Sequence, residues 1–393
     1  MANIPFTSLP VEVLLGICTS PVLEIPDIAS VGRANGLLRD LVIPALRPEI
    51  FRRRSSKYCR RALYHAAERR DRFAVGSLLG DGILDIIEDG GTLLNSAVGK
   101  LSDEGLTTLL ACGLDPNTED ERGRTPLICA TSGRCLGAIR VLLADGRVDV
   151  NRPWVFDFAS LHLAVWNQDA DVVRLLLSCP RIAVNQAIIT GPMSLGNSRT
   201  ERDGRVLATL MEDRREGENP PLRGGWPPLH GAMARSNLTV LAILLRDERV
   251  NVNKPALGGE TPLRVGVRHN NVPAVCMLMA HPKIQAQMDG RILHFAVYYS
   301  GGPMIEFLLR SESVRINCRD SAGRTALHLA AYLGRADIVK LFLGRKDLDI
   351  RILDGGGRSA RGRALPRYPG IARLLTVGGI VGDRRMDYLN LAL

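Results

Sequence analysis

The side chains best suited to chemistry at neutral pH are seven histidines and eight cysteines. Imidazole can carry protons or ligate a metal, and a thiolate can attack or ligate. The spacing supports neither use. The cysteines stand singly between Cys18 and Cys318, with no C-x-x-C pair and no Cys/His cluster at zinc spacing, so reduced and mostly buried thiols are expected. There is no P-loop, no G-x-S-x-G, no H-E-x-x-H and no kinase signature. Carboxylates fall mainly in segments that read as loops. The expectation is a protein that is not an enzyme, uses no cofactor and binds no metal.

Four of the histidines share a different pattern. His162, His230, His294 and His328 each occupy the frame Leu-His-x-Ala. That frame belongs to a larger element, best formed at residues 323–343, GRTALHLAAYLGRADIVKLFL. The stretch reads as two short amphipathic helices, A and B. Thr325 can cap helix A by accepting the amide of His328, and Gly334 can adopt the left-handed conformation that ends it. Ile338, Val339, Leu341, Phe342 and Leu343 then give helix B a broad apolar face.

With Thr325 as position one, equivalent residues are Arg61, Thr92, Thr125, Ala159, Met193, Pro227, Thr261, Arg291 and Ser359, at spacings of 30 to 34. Leucine stands at position three in every unit except the last, where Arg361 replaces Leu327 of the template. Position six is always small, from Ala66 to Ala364, which lets neighbouring helices approach closely. One such pair has too little core to stand alone, so the units must stack.

The signature Thr325, Ala326, Leu327, His328, Leu329, Ala330 resembles the ankyrin repeat. The resemblance implies an all-α fold: an ankyrin-repeat solenoid of about ten helix-pair units over residues 61–377. It implies that the fourth-position histidines bond the capping hydroxyl of their own unit and backbone of a neighbour, a structural role. It also implies a protein target on the concave face, built from inter-repeat hairpins and the late residues of helix A. Those places hold Trp154, Trp166, Trp226, Arg235, Arg268, His269, Tyr298, Tyr299 and Tyr332. Trp, Tyr and Arg often carry interface energy, roughly 2 kcal/mol or more at a hot spot. For Trp154 the alternative is that PWVFDF, residues 153–158, packs under its own hairpin.

Residues 4–50 do not follow the repeat. Thr7 or Ser8 can cap a helix with Pro10 in its first turn and Val13, Leu14 and Ile17 as its stripe. Asp27 can cap a second helix with Ile28 and Val31, and Leu37, Leu38 and Leu41 suggest a third before Pro44. Leu9, Pro10, Glu12, Val13, Leu14 and Ile17, then Asp27, Ile28, Val31 and Arg33, and the closing LVIPAL of 41–46, resemble the F-box. The ending is similar to fungal proteins that join an F-box to ankyrin repeats. Asn35 stands where many F-boxes have Trp. The resemblance implies docking on the Skp adaptor of cullin-type ubiquitin ligases through Leu9, Pro10, Glu12, Val13, Ile17, Ile28 and Val31. The alternative is a helical cap over the first repeat.

The net charge of +10 is concentrated at two places. Residues 47–61 carry seven basic and one acidic residue, and 351–385 carry eight and two, so each contributes +6 and the remainder about −2. The basic linker, 51–60, reads as a solvated connector or a nuclear localisation signal. Nucleic-acid binding would rest on charge alone and is not expected. No apolar run is long enough to span a membrane, and Glu12 with the lack of Lys or Arg before Arg33 argues against secretory and mitochondrial signals. A monomer in the cytoplasm, with the nucleus as an alternative, is expected. Between Ile188 and Gly225 the sequence is polar, but Ala159 and Pro227 lie two repeat lengths apart, so a degenerate folded unit is expected from Met193. Residues 378–393 form a tail.

Overall fold

The computed structural model describes residues 56–87, 90–154, 158–187, 225–235, 237–256, 259–284, 291–365 and 367–377. The F-box-like segment 4–50, the body of the unit expected from Met193 and the tail 378–393 lie outside the described residues. By contact the chain divides into two compact units. The described part of the first is residues 56–154 with Ser178–Arg181; that of the second is 158–177, 182–187 and 225–377.

In the first unit, α1 (Ser56–Glu68) and α2 (Arg72–Gly80) form the opening helix pair, followed by a single turn, α3 (Ile83–Ile86). Next come α4 (Leu93–Ala97) with α5 (Asp103–Ala111), and α6 (Pro126–Ser132) with α7 (Leu136–Ala144). Helix α1 begins five residues before Arg61, so the second half of the expected linker is helical. Cys59 continues the buried stripe of Leu63, Ala66 and Ala67, and no Gly or Pro interrupts it. The unit from Thr92 is shorter than expected. A 3-10 turn at Gly90–Thr92 leaves Thr92 without a side-chain cap bond, and α4 has only five residues.

The second unit contains six pairs among the described residues: α8 (Ser160–Trp166) with α9 (Ala170–Leu177), α10 (Pro228–Ala234) with α11 (Leu238–Arg246), α12 (Pro262–Arg268) with α13 (Val272–Met279), α14 (Ile292–Tyr299) with α15 (Gly302–Arg310), α16 (Ala326–Tyr332) with α17 (Ala336–Leu343), and α18 (Ala360–Ala364) with α19 (Pro369–Val377). No strand is present among the described residues; a lone bridge joins Leu353 and Ser359. Each A helix packs on the next in the order α8, α10, α12, α14, α16, α18, and the B helices do the same. The position-three leucines Leu161, Leu229, Leu293 and Leu327 are buried between these layers.

Local chemistry explains the boundaries. Thr125 accepts the amide of Ile128 at 3.3 Å and Thr261 that of Arg264 at 3.4 Å, each followed by a proline that fits the first helical turn. In five of the repeats the A-to-B turn takes a left-handed residue at position ten, although Ser300 is extended there. Gly334 supplies it with φ of +77°, but Arg70, Arg134, Gln168 and Asn270 hold the same place at φ between +51° and +59°.

Neighbouring pairs are tied by a ladder of asparagines in the loops after helix B. Asn117 donates to the Arg147 carbonyl and accepts from Asp149, and Asn317 repeats this with Asp347 and Asp349. Asn185 makes the equivalent bonds to Arg249 and Asn251, 64 and 66 residues on instead of about one repeat. The helix pairs on either side also pack directly, α8 on α10 and α9 on α11; the unit expected from Met193 lies outside the described residues.

Candidate protein-binding face

The fourth-position column holds the groups that looked most like chemistry. His162, His230, His294 and His328 are all buried, and each Nε2 lies against a backbone carbonyl: Gln186 at 3.0 Å, Glu260 at 3.0 Å, Arg324 at 2.7 Å and Arg358 at 3.1 Å. A carbonyl can only accept, so Nε2 carries the proton. Burial pulls the pKa of His162 and of His230 down to about 4, against the carbonyls that favour the charged form; Lys254 lowers His230 further. Burial also lowers His328. His162, His230 and His328 are therefore neutral donors, and all four histidines sew one repeat to the next.

The other half of the expected histidine role holds only where position one has a hydroxyl. Thr325 places its Oγ1 2.8 Å and its amide 3.2 Å from Nδ1 of His328. Ala159 and Pro227 offer no hydroxyl, and Nδ1 of His162 and of His230 has no hydrogen-bond partner among the described residues. In the repeats from Arg61 and Thr92 other donors take over, whereas Ile128 in the repeat from Thr125 is apolar. Asn95 donates to the Thr118 carbonyl at 3.3 Å and to that of Arg124, and Tyr64 donates to the Leu93 carbonyl at 3.1 Å. At position four of the repeat from Thr261 stands a cation, Arg264, which the signature did not lead us to single out.

Along the late part of the A helices in the second unit, rings and guanidinium groups alternate. Arg235 lies 4.1 Å over the Trp166 ring, whose edge is met by Phe158 at 6.0 Å. Arg268 lies 5.0 Å over Tyr299 and 5.5 Å over Phe295, and Arg264 covers Phe295 at 5.7 Å. Phe295 and Tyr299 stack with centroids 4.5 Å apart. Tyr298, Tyr299 and Tyr332 are about half exposed, at 48%, 51% and 51%. Glu260, at the foot of the row, has an oxygen 2.9 Å from Arg268 Nη2. Burial raises its carboxyl pKa, while Arg268 and Arg264 lower it.

The structure thus brings Trp166, Arg235, Arg268, Tyr298 and Tyr332 onto consecutive A helices of one unit. Trp226 departs from expectation. It is buried, 6% exposed, with its ring 6.2 Å from His230 and edge-on to His269 at 6.2 Å. Gly225, with φ of +73°, turns the chain just before it, and the indole ends up as a floor under the row instead of a contact on it. Trp154 belongs to the first unit, where its indole N–H donates to the Arg122 carbonyl at 2.8 Å. It is half-buried and ties two hairpins together, so it serves its own unit before any partner. In that unit Lys57, Arg60 and Arg61 of the basic region line an open depression with Tyr64 and Lys100.

Residues 94–187 and 280–354 match the family of Ankyrin repeats (3 copies). These segments are ankyrin repeats. The matched stretches include the signatures of His162, His294 and His328, and the fold is the all-α ankyrin fold that the columns imply. Ankyrin repeats form protein-binding scaffolds. Among solved structures the chain is similar to the human ASB11 ankyrin repeat domain, at 19% identity and a TM-score of 0.46, over 65% of this chain and 98% of that one. A likeness of that size says nothing further about function. No curated protein matches. No helix among the described residues is long and apolar enough to cross a membrane.

Proposed function

We propose that the chain is a non-enzymatic substrate receptor of a Skp-cullin-F-box ubiquitin ligase: residues 4–50 dock the Skp-type adaptor, and the ankyrin face holds the protein to be modified. The observation that carries the reading is the row from Trp166 to Tyr332. Half-exposed tyrosines, with arginines stacked on their neighbours, are the residue types in which interface energy concentrates. The ligase half is supported by the order of Leu9, Pro10, Glu12, Val13, Ile17, Ile28 and Val31 in the sequence. Such a receptor acts as a monomer in the cytoplasm, or in the nucleus where residues 51–60 serve as a localisation signal. It has no catalytic step of its own, because the modification is done by the ligase.

Co-purification tests it. The tagged chain is expected to bring down the adaptor, and Leu9→Ala with Pro10→Ala to lose it. If the wild type brings down no adaptor at any salt concentration, and deletion of residues 1–50 only lowers thermal stability, the chain is an ankyrin scaffold with a helical cap.

A further inference from the structure

Charge divides the two sides of the second unit unequally. Positions one to nine of the repeats from Ala159, Pro227, Thr261, Arg291 and Thr325 hold four arginines, Arg235, Arg264, Arg268 and Arg291, and no carboxylate. The B helices of the same repeats hold four cations, Arg174, Arg246, Arg310 and Lys340, but also Asp171, Glu306 and Asp337. Opposite charges on the B side have neighbours of their own, such as Arg310 on Glu306 at 2.6 Å. The A side is the cationic one.

Its guanidinium groups are also pre-positioned. A guanidinium stacked on a ring loses side-chain freedom while its in-plane N–H edge remains able to fork a carboxylate. Arg235 is held over Trp166 and Arg268 over Tyr299, and the edge of Arg268 meets a carboxylate already. Glu260 already displays the pairing the row accepts, with its carboxylate on Arg268 and within the field of Arg264. The same stacking disfavours a nucleobase, since the faces of Trp166 and Tyr299 are occupied by arginine and a base would have to displace it.

We propose that this row, taken as the partner-binding face above, binds an extended acidic peptide segment, with carboxylates on Arg235, Arg264 and Arg268 and apolar side chains against Tyr299 and its neighbours. Packed helices lie about 8–10 Å apart, and a chain extended as polyproline II advances about 3.1 Å per residue with three residues per turn. Three peptide residues therefore span each repeat and return to the same side, so acidic residues every third position meet successive repeats. The four steps from Trp166 to Tyr332 accommodate about 12 residues.

The test uses the full chain and fluorescence anisotropy with three probes: a 12-residue peptide with Glu at every third position and Leu or Pro between, its Glu-to-Lys counterpart, and a 12-nucleotide single-stranded DNA. The acidic peptide is expected to bind, the lysine peptide not. Arg235→Gln with Arg268→Gln should weaken the acidic peptide by about tenfold or more, the loss expected for charge-assisted bonds. Arg310→Gln on the B side should leave it unchanged. Glu260→Gln should tighten it severalfold by removing the internal competitor, an effect that a purely structural role would not give. Equal binding of the two peptides, DNA binding that is tighter and lost with the same arginines, or no effect of the arginine pair would overturn the proposal. If the peptides fail while Trp166→Ala still loses proteins co-purified from cells, the acidic class is wrong and the receptor reading stands.

Discussion

Replacing His230 by Asn should remove a defined part of the acid sensitivity of the fold. In the unfolded chain an imidazole titrates near 6.5, whereas in the fold His230 is held at about 4 by burial. Protons therefore bind the unfolded state first. The stabilisation is complete above about pH 6.5 and is lost as the pH falls toward the folded value. Between pH 7.5 and pH 5 one such histidine accounts for a loss of about 2 kcal/mol, from about 1.4 kcal/mol per pH unit. Asparagine keeps a donor without titrating, and Asn95 already fills this column and reaches the next repeat's carbonyl. Urea unfolding followed by circular dichroism at the two pH values gives the comparison. Wild type should lose about 2 kcal/mol more than His230→Asn. An equal loss in both proteins would refute the assignment of His230 as a buried neutral donor; His162→Asn, whose histidine is also held at about 4, should repeat the result.

Other outcomes follow from the turns and the stack. Arg134→Gly relieves a left-handed arginine at φ of +54° and should raise stability by about 1 kcal/mol in the same assay. Gly334→Ala should cost more than Gly357→Ala, measured by thermal melting: both glycines are left-handed, but only at 334 would the new methyl lie 2.5 Å from the Tyr368 ring. Equal costs would mean that the ring gives way. Replacing residues 190–222 with a short glycine-serine link should leave the cooperative unfolding of the second unit in place, because Asn185 already bonds Arg249 and Asn251. Loss of that transition would mean that the replaced residues are an integral repeat.

The parts of the fold that the sequence made legible are those repeated by the chain itself. Leu161, Leu229, Leu293 and Leu327 recur because every unit buries position three against its neighbour, and the histidines recur because each sews the same carbonyl. Trp226 is where the sequence reading fell short. Its position beside a hairpin suggests exposure, but the turn at Gly225 directs the ring inward against His269. Arg264 was hidden in plain view: it departs from the histidine column, and that departure is the signal that could have marked it as part of the row. Phe295 gave no signal, because its contacts with Arg264 and Arg268 come from the preceding repeat and are set by stacking.

The central claim is that the row on the A helices holds a protein while the N-terminal residues hold a ligase adaptor. Quantitative affinity capture of the full chain from cells tests both halves in one measurement, comparing wild type, Trp166→Ala with Tyr299→Ala, and Leu9→Ala with Pro10→Ala. The row variant should keep the adaptor and lose a distinct set of proteins, and the N-terminal variant should do the reverse. Recovery of the same proteins, in the same amounts, by wild type and the row variant would contradict the account.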